Sequence, residues 1–269
     1  MASLILVDSL GRSIELPELP GRIVSLVPSW TETLFELGAG PRVVGVTEYC
    51  VHPADAVAQL PKVGGTKNAD AQGILRLRPD LVIANKEENR PSLVSALEQA
   101  AVPVLVTDAR AVAQAAAEIA LLGRATGVEA AAASLVLVIN RELEALGRLS
   151  ERRRCIALIW KNPYMAVGGD TFANDLLRQC GAENPFAGEA GRYPRITAQQ
   201  IEAAEPEVIL LPSEPYDFLE SDRLELLELD CPASRDSNIH LMEGELLSWY
   251  GPRVARALRE IPRILEIRG

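Results

Sequence analysis

The sequence predicts an α/β protein of two lobes, each built on a mainly parallel sheet, joined by one long helix. Three observations predict it. Short, continuously apolar runs alternate with helical patterns along the whole chain, as strands covered on both faces require. Strong helix formers fill the midpoint. One pattern is written twice, as "QGILRLRPDLVIAN" and "QQIEAAEPEVILLP". The length agrees, since 269 residues are long for one compact domain and natural for two of roughly 100–150 residues.

Strand-like runs in the first half are residues 23–27, 43–47, 81–84 and 102–107. In the second half they are 155–160, 165–167, 208–211 and 239–242. Between the halves, "ATGVEAAAASLVLVINRELEALGRLSERRR" has no interior proline after Gly127. It predicts a helix of about 20–25 residues, which at 1.5 Å per residue spans on the order of 30 Å. Such a helix is a rigid spine between lobes or an ordinary surface helix of a larger domain. The spine reading divides the chain into an N-terminal α/β lobe (1–124), a connecting helix (125–152) and a C-terminal α/β lobe (153–269).

The repeat supports two lobes of related topology, because a second element, "TETLFELGAG", is echoed in the same order by "TFANDLLRQCGAE". Each copy of the first pattern opens on a helix start. Asp70 can cap one helix, and Thr197 with Gln200 forms a T-x-x-Q capping box for the other. Each helix ends before a proline, Pro79 or Pro206, because the residue preceding proline is pushed out of the helical region.

With 48% hydrophobic and 24% charged residues, the chain has ample material for buried cores. A net charge of -10, with no stripe of Lys and Arg, argues against a nucleic-acid partner. The longest apolar run, residues 130–139, is about half of what a bilayer span requires, so no membrane insertion is expected. The N-terminal "MASLILVDSLGRSIELPELPG" does not read as an export signal. That leaves a periplasmic or extracytoplasmic protein whose signal has been removed, or a cytoplasmic one. Four cysteines lie far apart without a C-x-x-C pair, which is poor metal spacing.

No nucleophile elbow, phosphate-binding P-loop, H-E-x-x-H or G-x-G-x-x-G motif occurs. His52 and His240, the two histidines, are weak metal candidates. The glycine pairs in "VGGT" and "VGGDTF" hold an anion at a helix start or make tight turns. The aromatics are few, three Trp, five Tyr and four Phe, and many fall beside strand ends. Ligands of open α/β sheets bind outside the carboxyl ends of the strands. There Trp30, Tyr49, Trp160 and Tyr164 offer flat apolar faces with polar tips, suited to a large rigid ligand or simply covering the sheet ends.

The stretches "RIVSLVPSWTETLFELGAGPRVVGVTEYCVHP", "LPKVGGT", "ILRLRPDLVIAN" and "GAENPFAGEAGRYPRITAQQIEAAEPEVILL" resemble the substrate-binding proteins of ABC importers with a helical backbone. The vitamin B12-binding branch is the most similar, and sister branches carry ferric siderophores, haem or metal ions. The resemblance implies the class III periplasmic binding protein-like fold, two Rossmann-like lobes closing on a ligand, as a monomer without an intrinsic cofactor. It places Pro28, Trp30 and Tyr49 at the ligand from the first lobe. Tyr164, Met165, Tyr193, Trp249 and Tyr250 are placed there from the second. B12 binders carry Trp where this chain has Thr66 and Asn85. They dock on the permease through one Glu per lobe, at the positions of Gln72 and Gln199, with Asp70 and Glu202 nearby as substitutes. Cys180 matches a disulfide cysteine of the B12 binder whose partner position is Pro262.

The leading expectation is therefore a binding protein that delivers a corrinoid or iron chelate to an ABC permease. A cytoplasmic relative that stores, delivers or senses such a ligand is the alternative, and a siderophore or haem binder another. An enzyme acting on the ligand would need an acid or base such as Glu48, His52 or Glu245.

Overall fold

The computed structural model describes residues 3–147 and 152–266. The chain forms two compact units. The first comprises the residues through Ala109, Ala113–Leu137 and Tyr250–Pro252; the second comprises Arg110–Val112, Val138–Trp249 and the residues from Arg253 on.

The first unit opens with a hairpin, β1 (Leu4–Val7) and β2 (Ser13–Leu16), which pair antiparallel. Leu6, Ile14 and Leu16 face the core while Ile5 and Val7 face out, the period-2 pattern of a half-buried sheet. The turn is built by Asp8, whose carboxylate accepts from the Leu10 and Arg12 backbone N–H groups at 2.9 Å and from the Arg12 guanidinium. The sequence reading places no strands in this hairpin, whose residues form β1 and β2 in the structure.

The sheet of this unit holds β3 (Ile23–Ser25), β4 (Val43–Val46), β5 (Leu81–Asn85) and β6 (Val104–Thr107) in the order β4-β3-β5-β6, all parallel. Every residue of β3, β5 and β6 is buried, because helices α1 (Pro28–Glu36), α2 (Ala54–Val57), α3 (Ala71–Arg76) and α4 (Pro91–Gln99) return the chain between strands. Val24, Leu26, Ile74, Val82, Ala84, Leu97, Val104 and Val106 form one core, each large apolar side chain contributing about 1.5–3 kcal/mol by leaving water.

α5 (Val112–Thr126) and α6 (Glu129–Leu146) follow. The expected helix therefore starts later than residue 125. Gly127 adopts φ +66°, and a Cβ there would meet Leu19 at 2.7 Å, so the chain breaks between the two helices. Over 18 residues, α6 spans about 27 Å. The expected continuation over residues 148–151 lies outside the described residues. The division between the units falls inside α6, after Leu137.

In the second unit, β7 (Arg153–Trp160), β11 (Val208–Pro212) and β12 (Ile239–Met242) run parallel, whereas β8 (Tyr164–Ala166) and β10 (Arg195–Ile196) are antiparallel additions in the order β10-β8-β7-β11-β12. The antiparallel side has a simple cause. Only residues 161–163 connect β7 to β8, and so short a link can only form a hairpin. A short β9 (Ala182–Glu183) pairs with the start of β7. The helices are α7 (Phe172–Gln179), α8 (Ala198–Ala203), α9 (Glu220–Leu226), α10 (Pro232–Arg235), α11 (Glu245–Ser248) and α12 (Arg253–Ile264).

The repeat is structural down to the backbone. Asp70 caps α3 by accepting from Gln72 N at 3.0 Å, and Thr197 and Gln200 close both bonds of the capping box of α8. The pre-proline residues Arg78 and Glu205 sit at φ 48° and 46°. Proline disfavours the right-handed helical region for the residue before it, and both copies leave their helix through the left-handed region into β5 and β11.

Candidate functional site

Burial sorts the residues in question into two sets. In the first unit, Pro28 occupies the first position of α1 rather than a loop, and Trp30 is fully buried. The indole Nε1 of Trp30 donates to Thr107 Oγ1 at 2.8 Å, and its ring stacks on Tyr250 with centroids 5.1 Å apart and planes at 25°. Thr107 also accepts from Asn85 Nδ2 at 3.1 Å and donates to Ala84 O. Asn85, 1% exposed, turns the chain after β5 by accepting from the backbone of Glu87 and Glu88, while its own N–H donates to Asn89.

Pro28, Trp30, Asn85 and Tyr250 thus make packing and turn contacts within this unit, and Pro28 stands in a helix where the resemblance implies a loop. Sequence position could bring them to the strand ends. It could not show that the ring of Tyr250, from a distant part of the chain, covers the indole.

Tyr49 differs, with 61% of its surface exposed. Its ring lies against Gly65, where an added Cβ would meet it at 3.1 Å. Thr66 is half-buried beside it, with its carbonyl accepting from Asn89. His52 follows in the same loop, half-buried.

In the second unit, Tyr164 and Met165 lie on β8, paired with Ile196 and Arg195 of β10, and both are half-buried. Tyr164 donates its hydroxyl to Glu225 at 2.9 Å. Burial, reinforced by that carboxylate, pushes its pKa up to about 12. Tyr193 is half-buried in the loop entering β10. Trp249 is buried, with Arg253 placed 4.9 Å over its ring in a cation–π contact.

The turn between β7 and β8 is pinned by Lys161, whose ammonium donates to Asp222 at 2.7 Å and Glu225 at 2.6 Å. Asp222 in turn accepts from Leu219 N at 2.9 Å and caps α9. That backbone bond, then Lys161, holds the Asp222 carboxyl below its ordinary range, and Lys161 together with Tyr164 does the same for Glu225.

The glycine pairs are turns. Thr171 caps α7 with its own hydroxyl, Asp170 pairs with Arg110 at 2.8 Å, and a Cβ on Gly169 would meet Ala187 O at 2.1 Å. His240 lies against Asn238 at 2.5 Å, and desolvation lowers its pKa. Among the described residues no three His, Cys, Asp or Glu side chains converge as a metal site. The four cysteines are buried free thiols, Cys180 included.

Gln72 and Gln199 are both exposed in the first turns of their helices. The acids beside them are engaged: Asp70 with Gln72 N and Arg76, and Glu202 with Asp230 N. Trp160, which the sequence places among the strand-end aromatics but the resemblance does not place at the ligand, is 42% exposed at the end of β7. Its position after an apolar run is legible in the sequence, but its exposure is not.

A vitamin B12-binding protein of Vibrio parahaemolyticus is 25% identical over 243 residues, covering 89% of this chain and 87% of the relative. An ABC transporter substrate-binding lipoprotein of Bacillus subtilis is 27% identical over 266 residues, covering 94% and 82%. The solved structure of a periplasmic heme-binding protein from Roseiflexus sp. RS-1, in apo form, superposes with a TM-score of 0.80 at 25% identity, covering 91% of this chain and 97% of that one. No described helix is long and apolar enough to cross a membrane. The periplasmic binding protein profile matches residues 23–225, from β3 through most of α9, and the chain belongs to this family of substrate-binding proteins.

Proposed function

We propose that the chain captures a corrinoid or closely related metal chelate and hands it to an ABC importer, without chemistry of its own. The observation that carries the reading is the similarity to a vitamin B12-binding protein along nine-tenths of the chain. Tyr49 in the first unit and Tyr164, Met165 and Tyr193 in the second supply aromatic and soft side chains, with Thr66 next in sequence to Gly65, against which the Tyr49 ring lies. The protein works outside the cytoplasm, as its family does, and as a monomer. A haem or ferric siderophore ligand is the second reading, favoured by the likeness to a heme-binding protein.

Calorimetric titration with cobalamin, its cobinamide precursor, haemin and a ferric siderophore tests the function. Saturable one-to-one binding of a corrinoid is expected, and silence toward all four would remove the reading. Tyr49→Ala and Tyr193→Ala should each weaken binding by roughly 1–3 kcal/mol, the usual effect of removing an aromatic anchor, with unchanged thermal unfolding. Unchanged affinity in both variants would remove these residues from the site.

Gln72 and Gln199 are the docking positions in this reading. Glutamine keeps the shape of glutamate but lacks the charge-assisted bond to arginine, which is about twice as strong as a neutral one. Gln72→Glu combined with Gln199→Glu should therefore increase capture by an arginine-lined permease in a pull-down. Equal capture of both proteins would count against docking through these helix starts.

A further inference from the structure

Trp160 is exposed over 42% of its surface, while the other two tryptophans, Trp30 and Trp249, are buried. Leu158 of β7 pairs with Ala166 in the core of the second unit, and a register irregularity then separates it from Trp160, which ends the strand opposite Met165. The exposed indole therefore stands at the carboxyl end of β7.

Two further rings hold it in place. Tyr216, in the loop after β11, meets Trp160 edge-on with centroids 5.6 Å apart and planes at 66°. Phe218, itself buried, meets Tyr216 at 4.7 Å and 63°. Both are attached to the same core. β7 and β11 are parallel neighbours, so the ladder stands at two adjacent carboxyl ends, the place where open α/β sheets bind ligands.

The polar groups around the ladder are satisfied internally. Lys161 is held by Asp222 and Glu225, and the Tyr164 hydroxyl by Glu225. The turn thus presents a flat aromatic face in a fixed orientation, and a ring already ordered loses little freedom when a ligand stacks on it.

We propose that Trp160 is a specificity-determining residue whose indole face receives the flat ring system of a macrocyclic metal chelate. The inference rests on the ligand-capture reading above and narrows it. A planar macrocycle gains stacking area on this surface. An open-chain hydroxamate chelate, with its curved rim of amide oxygens, gains little from it.

The test uses the full chain, wild type beside Trp160→Ala and Trp160→Phe, titrated with cyanocobalamin, dicyanocobinamide, haemin and a ferric hydroxamate. Circular dichroism and thermal unfolding establish that the variants fold. Wild type is expected to bind a macrocycle, Trp160→Ala to bind it about tenfold more weakly, as for a lost aromatic stack, and Trp160→Phe to recover most of the affinity. Macrocycle binding that is unchanged in Trp160→Ala overturns the role of Trp160 and leaves the capture function standing. Binding of the hydroxamate alone overturns the macrocycle class. Failure of the wild type to bind any of the four removes the capture reading and this inference together.

Discussion

Trp30→Ala is expected to destabilise the first unit by about 3–5 kcal/mol, the range for truncating a large buried aromatic. The indole is fully buried, it donates to Thr107, and it stacks on Tyr250. The loss has three parts: transfer of the ring, the cavity left behind, and the lost stack on Tyr250 together with one of the bonds that Thr107 Oγ1 accepts. Urea unfolding followed by the amide signal measures it. Trp30→Phe should recover most of the packing and lose the hydrogen bond, which is worth about 1 kcal/mol. A loss in Trp30→Ala below about 1 kcal/mol would show that the indole is not a core element, and would return it to the ligand set in which its position first placed it.

Stability should also carry the signature of Glu118 on α5. This side chain is 5% exposed. Its Oε1 accepts from Ser9 Oγ at 2.5 Å and from Asp108 N at 2.6 Å, and its Oε2 has no partner among the described residues. Burial pushes the pKa from 4.5 up to about 7, the Asp108 charge adds to the rise, and the bonds from Ser9 and Asp108 oppose it. The folded chain thus holds the proton more tightly than the unfolded chain. The resulting stability is complete below pH 4.5 and is lost as pH rises through about 7. At about 1.4 kcal/mol per pH decade, the loss amounts to about 3 kcal/mol.

Glu207, Asp222 and Glu225, whose pKa values are lowered, act in the opposite sense, contributing stability that is lost as pH falls. The difference between wild type and Glu118→Gln therefore isolates the effect. Glutamine retains an acceptor for Ser9 and Asp108 and does not ionise. The variant should gain on wild type by about 3 kcal/mol between pH 4.5 and pH 8. Parallel pH profiles for the two proteins would sink the assignment.

The α/β class, the eight main strands and the repeated helix–proline–strand unit were all legible in the sequence because each rests on local rules. Continuous apolar runs announce strands buried on both faces, as β5 and β11 are. Asp70 and Thr197 announce helix starts because their bonds reach only two or three residues ahead. The β1–β2 hairpin was not read, since four-residue strands beside a polar turn carry little pattern of their own. Its stability comes from Leu6, Ile14 and Leu16 meeting a core assembled elsewhere.

The candidate site was legible as a region and not as a set of side chains. By itself the sequence placed Trp30, Tyr49, Trp160 and Tyr164 next to strand ends, and the resemblance added Tyr193, Trp249 and Tyr250. The tertiary structure decided that Trp30, Trp249 and Tyr250 are packed away while Tyr49 and Trp160 face out. A strand or a cap is specified by neighbours within a few residues. The exposure of a ring depends on which distant segment packs on it, and Tyr250 reaches Trp30 only once the chain has folded.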